Sequence, residues 1–330
     1  MPHGNEVPEQ APMDEGGPTQ ATRAFLEGFQ GTGLRVEHDP ARKTVTSRLT
    51  HEQRPNMTPE VMASYDALLG GLQRCSWAGD DSLRYYVMAA DHPKVFSYGG
   101  DFAQLLDAVE RRDAQSLRKY GEACIQPIHK MLSGVGERNV SIAAVAGTCL
   151  GGGLEGAMAA DFVVAERGRK MGLPEANIGM FPGVGGYAML ARKIGRREAE
   201  RVILGGLYFK TEEAHEMGLV DHLCEPGEID RGVNEMIETI EPRFNTYLTV
   251  VRERRRCAPI SLEQMRASVA DWVDAAMNME AHHLMLMRHL MSQQRANQKP
   301  KTDPDAAVVT LKGEAAEART DNPFRAKAEA

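Results

Sequence analysis

Three short runs constrain this chain more than any other feature, because each is apolar on both faces. Leu83–Ala90 reads LRYYVMAA, Val140–Ala146 reads VSIAAVA and Phe162–Ala165 reads FVVA. A strand with one wet face alternates polar and apolar residues, and these do not. Strands buried on both sides need helices over both faces, which is the condition of a mostly parallel α/β sheet. The rest of the chain permits such a core: 330 residues, 42% hydrophobic, give enough apolar surface for a large domain. The net charge of −7 argues against a nucleic-acid binder, which needs a basic face for phosphates. No run approaches the roughly 18–20 apolar residues of a membrane span. The first residues lack the basic-then-apolar pattern of a secretory signal, so a cytoplasmic location is expected. Five widely spaced cysteines without a CxxC support neither a disulfide framework nor a thiolate metal site.

Composition divides the chain into four parts. Residues 1–30 are rich in Pro, Gly, Glu and Gln and are expected to form a flexible arm, and residues 293–330 a flexible tail. Residues 31–240 contain the strand–helix alternation. Residues 241–292 read as a C-terminal helical region. There Ser261 and Gln264 make a capping-box pattern before apolar residues at helical spacing, from Leu262 to Met277. Helices with only short strands between them are expected from about 185 to 292. Thr211 is expected to cap a short helix closed by Gly218.

Three glycine-bearing segments follow the apolar runs. Val95-Phe96-Ser97-Tyr98-Gly99-Gly100-Asp101-Phe102 places two glycines before a helix that Asp101 can cap. Gly147-Thr148-Cys149-Leu150-Gly151-Gly152-Gly153-Leu154-Glu155 places three between a strand and a helix. Met171-Gly172-Leu173-Pro174-Glu175 leads into Phe181-Pro182-Gly183-Val184-Gly185-Gly186. Glycine lets backbone N–H groups approach a ligand closely, and those at a helix start have no intrahelical acceptor. Neither the dinucleotide fingerprint nor the P-loop spacing is present. Glu155 and Glu175 lie 20 residues apart, about one helix plus one strand. That separation can return both carboxyl groups to one pocket. Cys149 reads as a buried structural thiol, and His282 and His283 as ordinary helix surface. No metal or other cofactor is expected.

In this order and spacing the segments resemble the enoyl-CoA hydratase/isomerase (crotonase) superfamily. The resemblance implies a ClpP-like spiral of ββα turns followed by a helical region, assembled as a trimer or a hexamer. It also implies that Gly100 and Gly152 supply an oxyanion hole and that Glu155 and Glu175 form an acid/base pair, with the two roles unassigned. The late helix Asp271-Trp272-Val273-Asp274-Ala275-Ala276-Met277, with FSYGGDF and FPGVGGYAMLARKI, is similar to the diffusible-signal-factor synthases. These make cis-2-unsaturated fatty acids. That resemblance implies dehydration of a 3-hydroxyacyl thioester, on acyl carrier protein or CoA, and then hydrolysis to the free acid. Trp272, Met287, Leu290 and Val184 are the expected acyl-chain contacts, and a sensor-kinase receiver domain is a further partner the resemblance implies. Two other readings stay open. One is an ordinary 2-enoyl-CoA hydratase, for which Lys94 could reach a CoA phosphate. The other is a non-catalytic interaction protein on the same scaffold.

Overall fold

The computed structural model describes residues 20–50 and 55–296, with side chains through residue 289. A helix α1 (Ala21–Gly28) precedes the strands β1 (Leu34–Asp39), β2 (Thr44–Leu49) and β3 (Asn56–Met57) and the helix α2 (Pro59–Trp77). Next come β4 (Tyr85–Ala90), β5 (Val95–Ser97), β6 (Gly99–Gly100), α3 (Phe102–Glu110) and α4 (Ala114–Ser133). The second turn of the spiral is β7 (Val140–Val145), β8 (Thr148–Leu150) and α5 (Gly152–Met158). The third is β9 (Phe162–Glu166), β10 (Lys170–Gly172) and a 3-10 turn, Pro174–Ile178. Helices then dominate: α6 (Gly186–Ile194) and α7 (Arg196–Gly205), then β11 (Tyr208–Lys210), α8 (Thr211–Glu216) and β12 (His222–Cys224). The chain closes with α9 (Ile229–Ile240), α10 (Phe244–Cys257), α11 (Leu262–Met277) and α12 (Ala281–Ala296).

Each turn gives its first strand to one sheet and its second to another. The large sheet runs β1-β2-β4-β7-β9-β12 and the small one β11-β10-β8-β5. The pairings β4·β7, β7·β9, β5·β8 and β8·β10 are all parallel. The apolar runs follow from this arrangement. Tyr86, Met88, Ala143, Val145 and Val163 face one core, which the spiral helices complete. Tyr85, Val87, Val140, Ile142 and Val164 face a second, against Val233, Ile240, Phe244 and Leu248 of α9 and α10. A strand between two cores has no wet face, so no polar alternation survives. No helix among the described residues is long and apolar enough to cross a membrane.

The ends of the chain differ from expectation. Residues 21–28 are helix, not arm. The rings of Phe25 and Phe29 pack at a tilt with centroids 5.8 Å apart, and the Thr22 N–H donates to the buried Asp80 carboxylate at 2.7 Å. One apolar stripe and one buried acceptor suffice to order a segment whose composition is poor in aliphatics. The helix α12 continues through Ala296 into the expected tail. Residues 1–19 of the arm and 297–330 of the tail lie outside the described residues. Thr211 is the first residue of α8 rather than its cap, and its hydroxyl donates to the Glu166 carbonyl at 2.8 Å. Ser261 caps α11 as the spacing predicts, accepting from the Gln264 N–H at 3.1 Å.

Candidate active site

The site forms where the second strands of the first two turns meet α5. The strand β6 pairs parallel with β3, Asn56 opposite Gly99 and Met57 opposite Gly100. Gly99 has φ +89, and a Cβ there would lie 2.7 Å from Gly152 N. The two glycine backbones therefore touch, and no other residue could occupy position 99 without moving them apart. Gly151 has φ +54, and its turn leaves Gly152 as the first residue of α5. The Gly152 N–H consequently has no intrahelical acceptor. A Cβ on Gly152 would sit 3.5 Å from Gly100 N, so both predicted donor residues share one small neighbourhood. Asp101 caps α3, accepting from the Ala103 N–H at 3.0 Å.

Glu155 lies in the first turns of α5 and is 2% exposed. Its Oε1 accepts the N–H groups of Val184 (3.0 Å) and Gly186 (2.8 Å). The Phe181–Gly186 loop thus fixes one carboxyl oxygen through its backbone. Glu175 follows β10 in the 3-10 turn that Pro174 begins. Its Oε2 is buried and accepts no hydrogen bond from the described residues. Burial raises Glu155 to about 8, the nearby Glu175 charge adds to this, and the two backbone donors oppose it. Burial raises Glu175 to about 7. Two carboxyl groups so placed do not both ionise at neutral pH, and the pair keeps a proton.

Both glutamates line one open cavity, about 1010 Å³ with the solvent at its mouth included. Gly100, Gly152, Val184 and Trp272 line it as well. Trp272 packs on the Phe181–Gly186 loop, close enough that a Cβ on Gly183 would meet its ring at 2.3 Å. Met287 is a correction. It is fully buried in the core and is absent from the cavity wall, because α12 turns that face toward α3 and the 3-10 turn. Leu290 lies outside the described side chains. Lys94 is exposed and does not line the cavity. Cys149 is buried, as expected of a structural thiol.

Beside Val184 and Trp272, much of the apolar wall comes from segments that carry no motif. Met57, Met62 and Leu69 reach it from β3 and α2, and Ile128 and Met131 from α4. The available signal was helical periodicity in 59–77 and 114–133. That signal marks a buried face without saying whether protein or ligand covers it.

Residues 68–254, more than half of the chain, match the family model described as "Enoyl-CoA hydratase/isomerase". YngF of Bacillus subtilis (strain 168), named for an enoyl-CoA hydratase/isomerase, is 31% identical over 161 residues, 49% of this chain and 59% of that protein. The fatty acid oxidation complex subunit alpha of Pseudomonas paraeruginosa is 35% identical over 144 residues, 43% of this chain and 19% of that protein. The matched segment thus spans less than two thirds of either relative. Among solved structures, human mitochondrial delta3-delta2-enoyl-CoA isomerase superposes with a TM-score of 0.67 at 20% identity, covering 82% of this chain and 100% of that one. That likeness concerns the fold. The family match, the spiral, and two carboxyl groups sharing one cavity with Gly100 and Gly152 agree, and the chain belongs to the enoyl-CoA hydratase/isomerase family.

Proposed function

We propose that the protein dehydrates a medium-chain 3-hydroxyacyl thioester and then hydrolyses the product to a free cis-2-unsaturated fatty acid. One observation carries the reading: Glu155 and Glu175 line the same apolar cavity as Gly100 and Gly152. The thioester carbonyl accepts the Gly100 and Gly152 N–H groups. Loss of the α-proton to one carboxylate then puts charge on that oxygen, where preorganised donors stabilise it more than they stabilise the neutral carbonyl. The other carboxyl group gives its proton to the departing hydroxyl, which leaves as water. The pair ends with the same number of protons, and the product is a 2-enoyl thioester. A water activated by the pair next attacks the thioester carbonyl in the same oxyanion hole, and the thiol of the carrier leaves with a proton.

The cavity supports an acyl chain of medium length, because its wall is almost wholly apolar and holds several flexible methionines. Trp272 against Gly183 supplies a rigid wall that can hold the chain bent, which favours a cis product. The carrier is acyl carrier protein or CoA. The same four groups also serve simple hydration of a 2-enoyl-CoA, the kind of activity for which YngF is named.

Mass spectrometry of purified protein with 3-hydroxydecanoyl thioesters of both carriers separates these readings. Free cis-2-decenoic acid is the expected product, and Glu155→Ala and Glu175→Ala should each abolish it. Reversible hydration without free acid would leave the hydratase reading, and no turnover of either thioester would leave a non-catalytic role.

A further inference from the structure

We propose that Tyr120 is a positioning residue for the Gly100 oxyanion donor, with its hydroxyl locking the strand that carries Gly100 to the strand beside it. The inference rests on the oxyanion role given to Gly100 above. Tyr120 lies in α4, far from any glycine motif, and is 5% exposed. Besides a hydrogen bond with the Cys124 thiol in its own helix, its hydroxyl makes two to the backbone around Gly100. It donates to the Met57 carbonyl at 2.7 Å and accepts the Asp101 N–H at 2.9 Å. Met57 is the register partner of Gly100, and Asp101 is the next residue in the chain. A Cβ placed on Gly100 would lie 3.3 Å from the same hydroxyl.

The pairing of β3 with β6 is only two residues long. Two residues of ladder hold a peptide plane loosely. A buried phenol bridging the end of the ladder anchors the plane that follows Gly100 to the paired strand, which leaves the Gly100 Cα, and the N–H on its preceding plane, less room to swing. Burial pushes the phenol well above its ordinary range, so it remains a donor at working pH. The ring of Tyr120 also lines the acyl cavity. One side chain therefore touches the chain of the substrate and sets the donor for its carbonyl. Phenylalanine would keep the ring and lose the lock, and small misplacements of a catalytic donor carry large rate penalties.

Infrared spectroscopy of a bound carbonyl tests this. The probe is a dethia analogue of decanoyl-CoA, carbon-13 labelled at its ketone, which can be neither hydrated nor hydrolysed. On the wild-type protein its C=O stretch should fall below the value in buffer. Tyr120→Phe should bind the probe within about threefold of wild type and lose at least about half of that displacement. Its kcat on 2-decenoyl-CoA should drop about 10- to 100-fold with KM nearly unchanged, less than the 10²–10³ typical of deleting a donor. A purely structural role would change melting temperature and leave the bound carbonyl as in wild type, and that outcome overturns the proposal while the reading of Gly100 stands. If the wild type itself leaves the carbonyl undisplaced, or fails to bind the probe, the oxyanion reading falls and this proposal with it. Should Tyr120→Phe not fold, Tyr120→4-aminophenylalanine keeps a donor toward Met57 with a weaker acceptor for Asp101. An intermediate displacement is then expected, and a full wild-type displacement refutes the lock.

Discussion

Replacing Glu155 by glutamine should destroy activity and stabilise the fold, by an amount that depends on pH. Glu155 is 2% exposed, and burial lifts it from 4.5 to about 8. The sign follows directly. The folded state holds this proton more tightly than the unfolded chain, so each rise in pH above about 4.5 weakens the wild-type fold until the group ionises near 8. Each pH unit of that interval is worth 1.36 kcal/mol, which bounds the penalty at about 4–5 kcal/mol. Glutamine carries no such penalty. Its amide oxygen can still accept from Val184 and Gly186. The stability difference between Glu155→Gln and wild type should therefore be small at pH 5 and grow by about 3–5 kcal/mol by pH 9. Urea unfolding followed by circular dichroism at several pH values measures it, and kcat should fall about 10²–10⁴-fold in the same preparation. A difference that stays flat from pH 5 to 9 would refute the claim that Glu155 is held protonated by burial.

Three other outcomes follow from the geometry. Gly152 begins α5, where proline is tolerated, so Gly152→Pro should fold and lose about 10²–10³ in kcat through the missing N–H; full turnover would sink its role as a donor. Gly99→Ala puts a Cβ 2.7 Å from Gly152 N at φ +89 and should cost about 1–3 kcal/mol in thermal unfolding, with activity falling in parallel. Ile128→Trp fills cavity space, so kcat/KM for long acyl chains should fall about tenfold or more against short ones, roughly 0.8 kcal/mol for each CH₂ excluded. An unchanged chain-length profile would show that the acyl chain lies elsewhere.

The parts of this protein that were legible in its sequence are those whose cause is local. Tyr85–Ala90, Val140–Val145 and Phe162–Glu166 announce themselves because burial on both faces removes every polar alternation. Asp101 and Ser261 cap their helices because a side-chain oxygen needs only the next two or three N–H groups. The glycine pairs and the two glutamates were legible as motifs, since close backbone approach excludes other residues at those positions. The hairpin of β1 and β2 was missed. Its strands carry charged residues such as Arg35, Glu37 and Arg48 on an exposed face, and their pairing is fixed by register with each other rather than by composition. The helix at residues 21–28 was missed because its ordering depends on Asp80, far along the chain.

Which apolar residues wall the cavity was decided by tertiary structure alone. A methionine on a helix carries the same local pattern whether it meets protein or ligand. Met287 and Met131 look alike in sequence, yet one is sealed in the core and the other faces the cavity. The raised pKa values of Glu155 and Glu175 belong to the same class. They arise from desolvation, and at Glu155 also from the charge of Glu175, both of which depend on distances across the fold. The sequence determined which groups could do chemistry here, because backbone conformation and side-chain type are properties of single residues. Only the packing of α2, α4 and α11 decided what surrounds those groups, because burial is a property of neighbours remote in the chain.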